Sequence, residues 1–339
     1  MRRFALFCAV LAPGAACVLV VKDPDRGAVE ASAIAIEGAA ETIAAAAISP
    51  DRLMAHVKVL ASDEYEGRAP GSKGENLTVA YLERELRAIG LEPGNPDGTF
   101  VQAVPLVGLT TTSTNVFRVG GQDLTFDNPT RMTLISRRQT GEVAIDASEI
   151  VFVGHGAEAP EFAWDDFAGV DVRGKTVVFL VGDPPVADAN DASKLDERMF
   201  GGRAMTYYGR WTYKYDIASR KGAAAALIVH DTAGAGYGWG VVERSFTREN
   251  FDVESDDHAA SRVAFEGWLS RQAAGELFAA CGEDFESLAR SAATRGFRAK
   301  TLKAAASFTA RNTVRSIASR NVIARLPGAS RPKEHVLYT

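Results

Sequence analysis

The 339-residue sequence has few of the residues that metal centres and disulfide frameworks need, with five histidines and three cysteines. Cys8 and Cys17 lie within the first 21 residues, so Cys281 is the only cysteine in the remainder. An internal disulfide is therefore excluded beyond that segment. Basic residues are not in excess either, because 38 Lys and Arg stand against 43 Asp and Glu. The net charge of −5 argues against a nucleic-acid partner.

The histidines are also poorly spaced for metal binding. A two-metal hydrolase needs several His and carboxylate ligands that converge on the ions, and a base for the bridging water. None of the five has His-x-His, His-x-Asp or HExxH spacing; they are His56, His155, His230, His258 and His335. We interpret them as structural residues, and we identify no catalytic and no metal-binding residue in this chain. Nucleophile-elbow and phosphate-loop motifs are absent as well.

Charge is missing from the stretch between Phe4 and Val21, which follows Arg2 and Arg3. A short cationic region before an apolar one is typical of a secretory signal. An uncleaved membrane span and a lipid anchor at Cys17 are the two alternatives, and all three export the chain. The sequence thus predicts a signal peptide or membrane anchor over residues 1–30 and a periplasmic or extracellular location. Residues 31–48 are an Ala-rich linker.

The first sequence pattern that predicts a helix is Ser49-Pro50-Asp51, which is typical of a helix N-terminus. Apolar residues at helical spacing predict a first helix to about residue 61 and a second over residues 75–89. A polar loop with three glycines lies between them, at residues 62–74. A strand is predicted over residues 100–107.

From about residue 115, short apolar runs broken by Gly, Asp and Asn predict a mainly β region. The expected strands are Val116–Val119, Met132–Ile135, Glu149–Val153 and Thr176–Val181. A helix over residues 210–221 and a buried run over 223–229 then predict a strand–helix–strand unit. Further helical segments are expected at residues 272–280 and 284–295. Near the end, NVIARLPG and HVLYT predict two neighbouring strands, from Asn321 and from His335.

Two long stretches carry a resemblance to a known family. The segment HVKVLASDEYEGRAPGSKGENLTVAYLERELRAIGLEP, residues 56–93, resembles the opening of secreted two-zinc aminopeptidases, metallopeptidase family twenty-eight. The segment TYYGRWTYKYDIASRKGAAAALIVHDTAGAGYGW, residues 206–239, resembles the protease-associated domain inserted in a bacterial branch of that family. The final NVIARLPG and HVLYT are similar to the return into the peptidase sheet. The resemblance covers about residues 50–339.

This resemblance implies a fold class and a domain plan. The fold would be α/β: the front part of a zinc-aminopeptidase α/β/α domain, interrupted by a mainly β protease-associated domain. The peptidase part would occupy residues 49–114 and 319–339, and the insertion residues 115–318. Two zinc ions and a peptide substrate are implied for the complete enzyme. In the family, the strand similar to HVLYT leads into the first metal-ligand motif, so we expect this chain to stop before the ligands and to be inactive alone.

Candidate contact residues come from two aromatic clusters. Tyr208, Arg210 and Trp211 lie in the first, and Tyr237 and Trp239 lie on the glycine-rich loop GAGYGWG. For the first cluster, the alternative is that Trp211 packs with Tyr215 as a buried helix face. We expect no helix after the glycine-rich loop, and we interpret it as a mobile aromatic loop. The resemblance also gives the loop with Glu66 and Arg68 a structural role near the active site.

Three functions remain open at this point. The chain is the front of an exported zinc aminopeptidase, a non-catalytic exported binding module built on the protease-associated domain, or an unrelated exported α/β protein. The first reading also predicts that the two N-terminal helices leave apolar faces uncovered, because the remaining sheet would not be present.

Overall fold

The computed structural model describes residues 47–338, which form a mixed α/β protein. The chain divides into two units: a terminal unit, up to Val104 and again from Ala318, and a central unit, Pro105–Ile317. The signal or anchor predicted for residues 1–30, and most of the linker, lie outside the described residues. No helix among the described residues has both the length and the apolar character that a membrane crossing requires.

The terminal unit contains the two predicted helices, α1 (Pro50–Leu60) and α2 (Lys73–Ala88), separated by a 3-10 helix at Asp63–Arg68. Each helix has a serine cap: Ser49 Oγ accepts from the Arg52 amide at 3.3 Å, and Ser72 Oγ accepts from the Glu75 amide at 3.2 Å. The short strands β1 (Glu92–Pro93) and β13 (Ala324–Arg325) pair antiparallel. Both helix predictions are confirmed.

A buried carboxylate holds the two chain segments of the terminal unit together. Glu75 on α2 accepts hydrogen bonds from the Ser319 hydroxyl at 2.6 Å and the Arg320 amide at 3.0 Å, and also from the Gly71 amide. Burial alone would raise the pKa of Glu75, but these hydrogen bonds bring it below its ordinary value. The carboxylate is therefore ionised and fully used by donors at neutral pH.

Helix α1 has no buried residue. Leu53, on its apolar face, is 60% exposed, and Met54 and Val57 are exposed as well. The helix still has one partner within its unit, because His56 Nδ1 lies 2.6 Å from the Tyr81 hydroxyl of α2. The prediction of an uncovered apolar face is thus confirmed for α1. The same prediction is wrong for α2, which buries Val79 and Tyr81.

Eleven strands follow β1 before β13 is reached. They are β2 (Val101–Val119), β3 (Gln122–Leu124), β4 (Met132–Ile135), β5 (Glu142–Phe152), β6 (Glu158–Ala159), β7 (Trp164–Asp165), β8 (Thr176–Leu180), β9 (Ala225–Val229), β10 (Asn250–Val253), β11 (Phe265–Leu269) and β12 (Lys300–Val322). Nine form one sheet in the order β10-β2-β12-β5-β8-β9-β11-β4, with β3 paired to β2. Strands β6 and β7 form a separate ribbon.

The middle of the sheet is parallel. Strands β5, β8, β9 and β11 run in the same direction, and every residue of the last three is buried. This explains their apolar sequences without alternation, because both faces of such strands are covered. The predicted strand–helix–strand unit is confirmed, since helix α3 (Trp211–Arg220) connects β8 to the parallel strand β9.

Four more helices complete the central unit: α4 (Thr232–Ala235), α5 (Trp239–Phe246), α6 (Arg271–Ala280) and α7 (Phe285–Ser291). Two hydrophobic clusters cover the sheet. One contains Phe278 of α6 and Phe285 of α7, and the other contains Tyr215 and Ile217 of α3. Whether this unit is the protease-associated domain expected at residues 115–318 stays a prediction.

Two strand predictions need correction. Residues 100–107 and 116–119 were predicted as separate strands, but residues 101–107 and 116–119 belong to the single strand β2. Its polar middle lies beside β12, where Thr111 and Thr114 hydrogen-bond to Asn312 and Thr309. The strand expected at His335–Tyr338 is not present, and Leu337 there is 80% exposed. Strand-forming residues alone do not make a strand, because the backbone groups of a strand are satisfied by a neighbouring strand.

Candidate functional site

The loops that follow the parallel strands gather at one edge of the sheet, which is where ligands usually bind in α/β proteins. Gly154-His155-Gly156 follows β5, Gly182-Asp183 follows β8, and His230-Asp231 follows β9. The backbone turns sharply there, since Gly154, Gly156 and Gly182 have positive φ. A side chain at Gly156 would also overlap the Phe179 ring. We call this region the carboxyl edge.

A completely buried lysine lies at the centre of the carboxyl edge. Lys214, on α3, donates from Nζ to the carbonyl oxygens of His155 at 2.5 Å, Tyr208 at 2.7 Å and Gly182 at 3.1 Å. Burial lowers the pKa of Lys214 to about 7, while the negative charges of Asp183 and Asp166 oppose this shift. Three donors thus meet three acceptors from three separate loops.

His155 is buried beside this lysine and is neutral. Its pKa is lowered to about 3, first by burial and then by the Lys214 charge, against a hydrogen bond to Gly182. Since a neutral imidazole has one N–H, and Nδ1 lies 3.0 Å from the Gly182 carbonyl oxygen, Nδ1 carries the hydrogen. This histidine therefore ties the β5 loop to the β8 loop.

Two aspartates surround the lysine. Asp183 accepts from the Thr206 amide at 2.7 Å and the Thr206 hydroxyl at 2.6 Å, so it holds the segment that leads into α3. Asp166 is buried and accepts from the Trp164 indole at 2.7 Å and the Ala157 amide at 2.9 Å. Burial raises the pKa of Asp166 to about 6 despite these bonds.

The first group of predicted contact residues lies next to this centre. Tyr208 is half-buried and donates its hydroxyl hydrogen to Glu161 Oε1 at 2.8 Å, while its backbone carbonyl accepts from Lys214. Arg210 is exposed and directly precedes α3, without a capping hydrogen bond from its side chain. Trp211 packs edge-on against buried Tyr215, with ring centroids 6.0 Å apart, yet it remains 38% exposed. The alternative, that these residues form a buried and packed helix face, therefore holds better for Tyr215 than for Trp211. As ligand contacts, these residues remain predictions.

The second group surrounds His230 after β9. The rings of Tyr237 and Trp239 have their centroids 5.9 and 5.7 Å from that of His230, whose Nε2 lies 3.0 Å from the Tyr237 carbonyl oxygen. Trp239 donates from its indole to the Pro129 carbonyl oxygen at 3.2 Å. Both aromatic side chains are half-buried. The expectation that no helix follows the glycine-rich loop is wrong, because α5 begins at Trp239 with Gly238 as its cap.

Glu66 and Arg68 belong to the terminal unit. Both have left-handed backbone conformations, with φ of 50° and 61°, on either side of Gly67. Such conformations are strained for non-glycine residues and must be held by their surroundings. Glu66 forms an ion pair with Lys73 at 3.4 Å, and both side chains are exposed. The role predicted for this loop near an active site is not tested by this geometry.

The residues of the carboxyl edge do not fit a pair of zinc ions. Within residues 47–338 there is no group of three or more His, Cys, Asp or Glu side chains that could hold a metal ion. His155 and His230 each direct a ring nitrogen at a backbone carbonyl. We therefore derive no metal-dependent step from these residues.

Tyr207, which belongs to the same aromatic cluster of the sequence as Tyr208, is 55% exposed and donates to Asp216 at 3.3 Å. Two further functional candidates, Lys214 and Asp183, are visible only in the structure. One signal was available, because Lys214 lies between Tyr213 and Tyr215 and on the same side of α3 as Ile217 and Ala218. A lysine on a buried helix face needs acceptors, but the sequence does not show which carbonyls supply them.

Comparisons with known proteins assign no family to this chain. No family model matches the chain, and no curated protein was found with significant similarity.

Proposed function

We propose that the chain forms the N-terminal part of an exported zinc-dependent aminopeptidase, an enzyme that hydrolyses N-terminal residues from peptides. The resemblance of residues 56–93 and 206–239 to secreted two-zinc aminopeptidases supports the family. One structural observation supports the domain plan: the central unit is a single continuous segment, whereas the terminal unit is made from the chain on both sides of it. An inserted domain has this organisation.

Within this proposal, the central unit recognises polypeptides and performs no chemistry itself. Its carboxyl edge presents Tyr207, Tyr208 and Trp211, which are partly exposed aromatic side chains at and just before the start of α3. Aromatic residues of this kind supply large contact areas in protein and peptide recognition. The described residues do not fit zinc, so the proposal assigns them no hydrolytic step.

The same aromatic surface favours one second candidate, a non-catalytic exported binding module. In that case, polypeptide binding at the carboxyl edge would be the whole function, and no zinc would be required. The two proposals differ in a single measurable property, which is metal-dependent peptide hydrolysis by the complete gene product.

The test uses the product of the complete open reading frame and, beside it, the 339-residue chain. Aminoacyl-p-nitroanilides report hydrolysis, and zinc content is measured by mass spectrometry. We expect the complete product to hydrolyse these substrates, to lose activity with a chelator and to regain it with zinc, while the 339-residue chain is inactive. A complete product that neither binds zinc nor hydrolyses the substrates would overturn the peptidase proposal in favour of the binding module.

A further inference from the structure

Lys214 brings an ammonium group into the buried centre of the carboxyl edge. Its ammonium group lies among three backbone carbonyl oxygens, which belong to the loop after β5, the loop after β8 and the segment before α3. An ammonium has three N–H donors and no acceptor, so the three carbonyls satisfy it completely. The side chain is fully buried, and no solvent is needed to complete its hydrogen bonds.

Lys214 holds the three loops together, because a backbone carbonyl oxygen of each accepts a hydrogen bond from its ammonium group. With an apolar side chain in its place, three buried acceptors would lose their donor, which is unfavourable for each. Gly182 would retain only the hydrogen bond with His155 Nδ1. The Tyr208 carbonyl would lose its hydrogen bond with the Lys214 ammonium.

The groups that face Lys214 fit a buried cation. Burial lowers the pKa of Lys214 to about 7, so the side chain is an ammonium below that pH, and the negative charges of Asp183, after β8, and Asp166, after β7, favour this form. His155, from the β5 loop, is neutral and adds no positive charge. Tyr213, on α3 itself, has its ring 5.7 Å from Nζ, and Tyr208 contributes its carbonyl rather than its phenol.

We propose that Lys214 is an internal cation that clamps the three loops of the carboxyl edge and so presents Tyr208, Arg210 and Trp211 in one arrangement. Lys214 is a positioning residue in this role, since it acts through the backbone of the aromatic segment. The clamp is independent of the peptidase proposal, because it depends only on contacts within the central unit. It applies equally if the chain is a binding module.

The first test measures loop order in the full chain at pH 6, where Lys214 carries its charge, by limited trypsin digestion and mass spectrometry. Arg210 is exposed at the start of α3, and Arg290 is exposed on α7. In the Lys214→Met variant, we expect cleavage after Arg210 to accelerate at least tenfold, with cleavage after Arg290 changed less than twofold. The matched control is Ile217→Ala, which also alters the buried face of α3 but removes no donor from the loops.

In the Ile217→Ala control, the rates of cleavage after Arg210 and after Arg290 should increase by similar factors, because both report unfolding of the whole unit. If Lys214→Met behaves in the same way, or leaves cleavage after Arg210 unchanged, the clamp is rejected and Lys214 is an ordinary packing residue.

The second test separates charge from packing. The Lys214→Ala variant lacks three methylene groups and the ammonium, which together correspond to propylammonium. Because propylammonium also competes for the lysine pocket of trypsin, protection is measured as cleavage after Arg210 relative to cleavage after Arg290. On this ratio, propylammonium chloride should restore at least half of the lost protection at Arg210, whereas propanol in sodium chloride of equal ionic strength should not. Equal restoration by propanol, or no restoration by propylammonium, would contradict the role of an internal cation.

Discussion

Helices α1 and α3 are amphipathic and nearly equal in length, yet their surroundings differ completely. Helix α3 has 10 residues, of which five are buried, and it packs on a parallel sheet. Helix α1 has 11 residues and buries none, with its apolar face open to solvent. The comparison shows that apolar periodicity predicts a helix and the direction of its apolar face. It does not show whether anything covers that face.

The largest expected effect on stability is at the buried helix, α3. Replacing Ile217 by Ala should lower the free energy of unfolding by about 2–5 kcal/mol, because it leaves a cavity in a fully packed cluster. The matched change on α1, Leu53→Ala, should cost within about 0.5 kcal/mol, since Leu53 is 60% exposed. Urea unfolding followed by tryptophan fluorescence measures both, and equal losses would show that α1 is covered in solution.

The next effect is a pH dependence that only α3 should show. The pKa of Lys214 is about 7 in the folded chain, against an ordinary value of 10.5. Between these values the unfolded chain retains a proton that the folded chain has released, so folding becomes more favourable as pH rises, by at most about 1.4 kcal/mol per pH unit.

We therefore expect the free energy of unfolding of the wild type, relative to Lys214→Met, to increase from pH 7 to about pH 10. The gain is lost as pH falls from about 10 to 7, the pKa of the folded chain. A flat difference over this range would show that the lysine titrates normally and is not buried as described.

A smaller effect is expected at the buried carboxylate of the terminal unit. In a Glu75→Gln variant, the amide presents only one acceptor oxygen where Ser319, Arg320 and Gly71 all donate. We expect a loss of about 1–3 kcal/mol in the stability of that unit. Because the pKa of Glu75 is below its ordinary value, its contribution is present above pH 4.5 and falls as the carboxylate protonates. Circular dichroism melts at pH 7 and pH 3 should show the two proteins converging at the lower pH.

The smallest change in stability comes from the exposed face of α1. A Leu53→Ser and Val57→Ser double variant should unfold within about 0.5 kcal/mol of the wild type, because both side chains are already exposed. It should remain monodisperse at higher concentration, since exposed apolar patches promote association. Light scattering over a concentration series measures this. A double variant that is both less stable and no more soluble would indicate that the face is buried.

Much of the fold was predictable, because the elements have strong local signals. Ser49 and Ser72 start helices through side-chain caps, and the uninterrupted apolar sequences of β8 and β9 predict strands buried on both faces. The strand expected at His335–Tyr338 failed for a different reason. Strand propensity is a property of residues, whereas pairing depends on a neighbour that local sequence does not specify.

Less of the candidate site was predictable, because it depends on long-range contacts. Tyr208 and Trp211 were identified by their density in sequence, but their arrangement depends on carbonyls far away along the chain, at His155 and Gly182. The position of Lys214 among them follows from the parallel order of β5, β8 and β9, which only the fold reveals. The glycines around Tyr237 are typical of a loop, so the start of α5 was not predicted from the sequence.

Hydrogen exchange of the 339-residue chain, followed by mass spectrometry, tests most directly the claim that the carboxyl edge is clamped while α1 is uncovered. We predict that amides of β8, β9 and α3 exchange last and that those of the segment 206–209 are protected only while Lys214 is present. Amides of α1 should exchange within seconds to minutes. Protection of α1 equal to that of α3, or a segment 206–209 that exchanges equally fast in the wild type and Lys214→Met, would contradict the account.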